Sequence, residues 1–556
     1  MNPLLKIAPL TLGASLLLSS CFSTNPRIIS TPTENVDNIP LKTTILTETQ
    51  LKHWNQSDLL LDTIPGMSVD RAYDELLKHR RGKTVVVAVV DSGIDINHED
   101  LKGNIWKNPK ERINGKDDDN NGYIDDIHGW NFLGDIVAEN MEFVRVIRDN
   151  RSKFENVNPQ TLSAKDKELY NLYVSAKAEY DKEVAENSQK LQQYQPILSQ
   201  VSQAHSFATK TLGKPTYSAK ELLGMEAQSE QEQTYKQMLM QMYGNVAEGE
   251  TMVDFVKGFQ EYVTSLTERQ ETHYNLDLNA RKKLNDNVKD LSDNDYGNNQ
   301  VGGPDPKLKD AKHGTHVAGI IAANRNNKIG TKGIAKNVKI MAIRAVPDGD
   351  EYDKDIALAI RYAADNGAKV INTSFGKYFS TNPEWVRAAI KYAASKDVLI
   401  VNAAGNDAKD MDKVNVYPND QTLSIPEISD NFLTVGALNF EYGSQLVASF
   451  SNYGKTNVDV FAPGVKIYST TPLNTYEYLQ GTSMAAPAVA GVAAVIRSYY
   501  PNLTAAQVKK VIMDSGNYTK ARVVLGDQIG VPFERGSKSG KMVNLYNAIL
   551  LAQKLN

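Results

Sequence analysis

Cysteine is almost missing from this chain: Cys21 is the only one in 556 residues. A single cysteine closes no intramolecular disulfide, so no disulfide framework supports the fold. An excess of charge is missing too. The 62 basic and 66 acidic side chains leave a net charge of -4, which gives no reason to expect a nucleic-acid partner. No stretch of about twenty apolar residues occurs, so no segment is suited to span a bilayer stably. What remains is an ordinary globular composition, 41% hydrophobic and 23% charged, in a chain long enough for one large domain with additions or for several domains. Any catalysis must therefore come from specific sites.

The position of the cysteine is informative. Lys6, an apolar run over 10–18 and the small residues Ser19-Ser20 before Cys21 read as a secretory signal over 1–20. Leu18-Ser19-Ser20-Cys21 resembles the lipobox of bacterial lipoproteins. That resemblance implies lipidation of Cys21 and an exported lipoprotein anchored to a membrane of the cell envelope, at the periplasmic face or the cell surface. The alternative is a simple signal peptide with a chance cysteine. Residues 21–53 are rich in Ser, Thr, Pro and Asn and read as a flexible tether.

From residue 54 the pattern tightens. Thr84-Val85-Val86-Val87-Ala88-Val89-Val90 is a β-branched run apolar on both faces, the mark of a central parallel strand, and it ends at Asp91-Ser92-Gly93. Strand-like runs recur at 338–346, 368–374, 398–403 and 432–437, alternating with helical stretches such as 355–366 and 384–395. The alternation predicts an α/β fold with a doubly wound, mainly parallel sheet. In such sheets functional groups sit at the carboxyl ends of strands, which singles out Asp91. His313-Gly314-Thr315-His316 opens an apolar helix, and Ala403-Ala404-Gly405-Asn406 turns out of another strand. Gly481-Thr482-Ser483-Met484-Ala485-Ala486-Pro487 opens a helix with no polar face, which predicts a buried helix with Ser483 at its positive end. Pro487 is expected close to the first turn, where a missing N–H costs least.

Asp91 after a strand, His313 at a helix start, Asn406 after a strand and Ser483 at a buried helix start resemble the subtilisin-like serine peptidases. The resemblance covers about 54–135 and 295–556 and rests on four motifs in the family's order: Val90-Asp91-Ser92-Gly93-Ile94-Asp95, His313-Gly314-Thr315-His316-Val317-Ala318-Gly319, Ala404-Gly405-Asn406 and the heptad at Ser483. It implies a serine endopeptidase acting on proteins or peptides, with Ser483 as nucleophile, His313 as base, Asp91 as its orienting acid and Asn406 as an oxyanion donor. It further implies substrate pairing along Ser374, Phe375 and Gly376, with Ala403, Ala404 and Gly405 as the opposite wall. The rival implication is a catalytically inactive binding protein that uses an insertion to recruit a partner. Asp91 and His313 stand 222 positions apart, far more than the family usually needs.

That separation houses an insertion, expected over 140–294 between the two parts of the body, 54–139 and 295–556. Helical spacing of Leu169, Leu172, Ala176, Tyr180 and Val184, capping signals at Ser163 and Ser218 and a Met-rich stretch at Met238, Met242 and Met252 predict about four helices. Just before it, Asp117, Asp119, Asn121, the carbonyl of Tyr123 and Asp125, with Gly122 at the sharp turn, match the first part of an EF-hand-type loop and predict structural calcium. The resemblance adds Asp100 and Asn327 as a second calcium position.

Overall fold

The β-branched run read above forms strand β1, Val85–Asp91. In chain order there follow Gly129–Asn131 (β2), Val338–Arg344 (β3), Val370–Thr373 (β4), Leu399–Ala403 (β5), Phe432–Leu438 (β6) and Val460–Pro463 (β7). Ile467–Thr471 (β8) and Thr475–Leu479 (β9) make a separate hairpin, as do Arg522–Leu525 (β11) and Gln528–Pro532 (β12), while Asn517–Tyr518 (β10) and Lys541–Met542 (β13) join the main sheet. This computed structural model describes residues 28–38, 40, 42, 44–246 and 251–556; the expected signal segment 1–20 and Cys21 lie outside them. The nine-stranded sheet runs β10-β13-β7-β6-β5-β4-β1-β3-β2, and every neighbouring pair except β10–β13 is parallel. β1 lies between β3 and β4, so the order reverses there, and Asp91 ends the strand at the switch point.

Both faces of the sheet are covered, as a parallel sheet requires. Val87 and Val89 of β1 point into one core, Ala88 and Val90 into the other. Among the described residues, the α-helices from residue 142 onward are Glu142–Phe154 (α1), Ala164–Leu212 (α2), Ala219–Gly224 (α3), Glu230–Tyr243 (α4), Met252–Glu271 (α5), Lys312–Ala322 (α6), Asp353–Asp365 (α7), Pro383–Ser395 (α8), Thr482–Tyr499 (α9), Ala505–Ser515 (α10) and Leu545–Leu555 (α11). Helices α6, α9, α10 and α11 fill the first face, α7 and α8 the second.

Five helices, α1 to α5, lie where about four were expected. They build two small cores of their own. One gathers Val201, Ala204, Leu239 and Met252, with Met238 and Met242 packed against it, so the Met-rich stretch is spent on packing. Helix α2 has 49 residues, about 74 Å at 1.5 Å per residue, and carries Pro196 in its interior.

One expectation changes. Residues 28–38 are docked rather than loose: Val36 is buried, Thr33 and Asn547 exchange two hydrogen bonds, and Ile28 exchanges two with Gln553 of α11. Hydrophobicity was too sparse there for periodicity to show it, but one buried Val and paired backbone groups suffice. Lys541 and Met542 form β13, and the last helix begins at Leu545 behind the N-cap Asn544. Among the described residues no helix is long and apolar enough to cross a membrane.

Candidate active site

Asp91 is buried at the end of β1, and its Oδ1 meets His313 Nδ1 at 2.7 Å. Oδ1 also accepts the Ser92 N–H at 2.8 Å, while Oδ2 has no partner. The approach of α6 to the strand depends on Gly314. A Cβ there would lie 2.2 Å from the Gly93 carbonyl oxygen and 3.1 Å from Asp91 Cβ, so any side chain would push His313 away. Burial pulls the His313 imidazole down, but the charge and hydrogen bond of Asp91 outweigh it, and the net displacement is upward from 6.5. His316, one turn on, is enclosed by the Ile467 and Glu477 carbonyls, and burial drives it down to about 3. It is a neutral packing group held against the β8–β9 hairpin.

Ser483 is the second residue of α9 and the only one in that helix that is not buried. Its hydroxyl donates to the Ser374 carbonyl at 3.0 Å rather than to the imidazole. Pro487 sits sixth in α9, close to the first turn but past it, so its missing N–H deprives the Ser483 carbonyl of the usual helical partner. The Ser374 hydroxyl, oriented by the Asn372 amide, fills that vacancy at 2.9 Å. A proline that would otherwise weaken the helix thus ties Ser483 to the edge of β4.

Asn406 is fixed by Thr482, a motif residue whose role its place in the sequence does not disclose. Asn406 Oδ1 accepts from the Thr482 N–H at 2.8 Å and the Thr482 hydroxyl at 3.0 Å. A backbone N–H can only donate, so the oxygen is the inward atom and Nδ2 faces the site. Gly481 stands between the donors at φ 150°, and a Cβ there would lie 3.3 Å from Asn406 Nδ2 and 3.6 Å from the Ser483 nitrogen. Two N–H donors therefore converge on one small space.

The remaining predicted residues line this region. Ser374 is buried, Phe375 half-buried and Gly376 exposed at the end of β4; Ala403 and Ala404 are buried at the end of β5 and Gly405 donates to Thr482 Oγ1 at 3.0 Å. A cleft of about 430 Å³ opens beside them, lined by Asp91, His313, Val346, Asp348, Ser374 and Leu479. His273, just past α5, reaches that rim, with Nε2 3.3 Å from Asp348 Oδ1.

The acidic loop is only partly as read. Asp117 and Asp119 come together, and Glu111, which loop spacing could not reveal, joins them, with one oxygen from each within 4.8 Å of the others. Glu111 Oε2 and Asp119 Oδ1 are buried without a hydrogen-bond partner, which fits a cation held there. Asn121 is turned away, its Oδ1 accepting the Tyr123 N–H and its amide donating to Asp126. Asp125 departs from the prediction, since its carboxylate caps the N–H groups of Asn114 and Gly115. Asp100 and Asn327 do meet, but as acceptor and donor at 2.6 Å. The Asn324 and Thr331 N–H groups take up the rest of that carboxylate, and Asn327 Oδ1 accepts from Ile329. That pair staples a loop.

The subtilase family model (Peptidase_S8) matches residues 82–529. Similar proteins include a thermophilic serine proteinase of Bacillus sp. (strain AK1), 42% identical over 248 residues, 44% of this chain and 54% of that protein. Subtilisin DY of Bacillus licheniformis is 39% identical over 198 residues, 35% of this chain and 67% of that one. The cell wall-associated protease of Bacillus subtilis (strain 168) is 36% identical over 247 residues, 43% of this chain and 26% of that protein. The chain thus spans about half the length of the first of these relatives. With the family model matching most of its length, the chain belongs to the subtilase family.

Proposed function

We propose that the chain is a serine endopeptidase that hydrolyses peptide bonds in proteins or peptides, exported and held at the cell envelope through a lipidated Cys21. The observation that carries the catalytic part is the Asp91–His313 pair, 2.7 Å apart, in a cleft also lined by Ser374, whose carbonyl accepts the hydroxyl of the half-buried Ser483 at the mouth of a buried helix. With Nδ1 bonded to the carboxylate, the proton stays on Nδ1 and Nε2 is the free base. Nε2 takes the Ser483 proton as Oγ attacks the peptide carbonyl carbon, then gives that proton to the departing amine. Water repeats the sequence on the acyl-enzyme and regenerates Ser483. The oxyanion lies between Asn406 Nδ2 and the Ser483 N–H, at the positive end of α9. An extended substrate along 374–376 offers its own N–H to the Ser374 carbonyl and so releases the Ser483 hydroxyl toward His313. The edge binds peptide as an added strand.

Glu111, Asp117 and Asp119 would hold a calcium ion, which supplies the positive charge that lets three carboxylates share one loop. Labelling of the protein by a fluorophosphonate, with and without a chelator, tests both parts. Wild type should label and Ser483→Ala should not, and chelation should slow labelling by loosening the Asp117 loop. An unlabelled wild type would sink the peptidase reading in favour of a binding protein. Palmitate incorporation that persists in Cys21→Ser would sink the anchor.

A further inference from the structure

The insertion is fastened to the substrate edge by buried charges. Glu142 opens α1, and Lys377 immediately follows Gly376; both side chains are 2% exposed and their charged atoms lie 3.2 Å apart. Lys377 Nζ also reaches Asp353 Oδ1 at 3.0 Å and donates to the Glu351 carbonyl at 2.6 Å. Its backbone is fixed as well, exchanging two 2.9 Å hydrogen bonds with Tyr417. Glu142 pairs with Arg145 through Oε2, accepts the Thr381 hydroxyl on Oε1 at 2.9 Å and donates its N–H to Asp350 Oδ2 at 2.7 Å. Arg145 completes the cluster by donating to the carbonyls of Asn140, Asp350 and Glu351. Phe143 then meets Phe379 edge-on at 5.9 Å. Three stretches of chain are locked together: the first turn of the insertion, the loop that runs on from the cleft-lining Val346 and Asp348, and the segment leaving the substrate edge.

Burial would raise the Glu142 carboxyl, but the charges of Arg145 and Lys377 outweigh it and hold it down. Burial would lower Lys377, but Asp353 and Glu142 hold it up. Both groups thus remain charged. Buried ion clusters of this kind contribute little net stability compared with apolar residues of the same shape, and their best-supported use is to fix one register. Here the register fixed is that of residues 374–376 against α1.

We propose that Glu142 and Lys377 are a positioning pair that sets the substrate edge from the insertion, so that the insertion governs how an extended peptide is held. This rests on the peptidase reading above. The test compares wild type, Glu142→Gln and the paired variant Glu142→Gln/Lys377→Met in three assays. These are cleavage of a peptide with several residues on the amino side of the scissile bond, hydrolysis of a single-residue ester, and the rate of fluorophosphonate labelling. The paired variant removes one buried charge of each sign, so the net charge of the cluster is kept although Arg145 and Asp353 each lose a partner. Loss of alignment at the edge should lower kcat/KM on the peptide by about 10- to 100-fold, mostly through KM, with ester hydrolysis and labelling within about twofold of wild type. Equal losses on ester and peptide, unchanged peptide kinetics, or collapse of both variants would overturn the pair. A wild type that neither labels nor cleaves would overturn the peptidase reading itself, and the pair with it.

Discussion

Helices α9 and α2 show two ways to hold a residue in place. Every residue of α9 but Ser483 is buried, whereas α2 buries six of its 49. In the body, position follows from packing on all sides: α9 lies against the sheet and can shift only if the core shifts, and its half-buried serine needs only the two hydrogen bonds to Ser374 besides. In the insertion, packing is local, gathered in two small clusters, and the junction with the body depends on buried charge. Hydrophobic burial supplies rigidity, and the ion cluster supplies register.

If the body's geometry is catalytic, the sharpest break comes from Asp91→Asn. The geometry can survive, but the imidazole loses the charge that orients it, and kcat should fall by about 10⁴, the scale set by the equivalent change in a serine protease of another fold. The pH profile gives the sign. Only the neutral imidazole is a base, so kcat/KM of the wild type should decline on the acid side through a midpoint above 6.5, because Asp91 raises His313. In Asp91→Asn burial alone remains, and the residual activity should decline through a midpoint lower than that of wild type. An unmoved midpoint would show that the 2.7 Å contact does not tune the base. Asn406→Leu should cost about 10²–10³ in kcat with little change in KM, the scale set by loss of the equivalent amide in a subtilisin. A loss confined to KM would mean that Asn406 holds substrate instead of the oxyanion.

The same contrast explains what could be read from the sequence. Asp91, His313, Asn406 and Ser483 were legible because each lies within a short motif, and the structure sets Asp91 against His313 and Asn406 against the turn that carries Ser483. The sheet was legible because strands buried on both faces are continuous apolar runs. Residues paired across long separations were not. Glu111 joins the acidic loop from outside its spacing, and Lys377 lies 235 positions from Glu142. Asp125 was misassigned because alternate acidic positions describe a ligand set and an N–H cap equally well until the turn is seen. Pro487 was legible as an early helix residue, but the Ser374 hydroxyl that takes the place of its missing N–H was not.

The smallest effect on chemistry should come from the insertion's own core. Leu239 is fully buried between α4 and its neighbours, in a cluster that shares no residue with either core of the sheet. Leu239→Ala should cost about 2–5 kcal/mol of packing there. Sites with no common partners behave additively, so the loss should stay within the insertion. Limited proteolysis should then cut first within α2 to α5, while single-residue ester hydrolysis remains at the wild-type rate. Peptide cleavage should hold as well, because α1 and its charge cluster belong to the other insertion core. If ester turnover fell together with the onset of cutting, the two regions would be one cooperative unit, and burial in the body would not by itself account for the placement of Ser483.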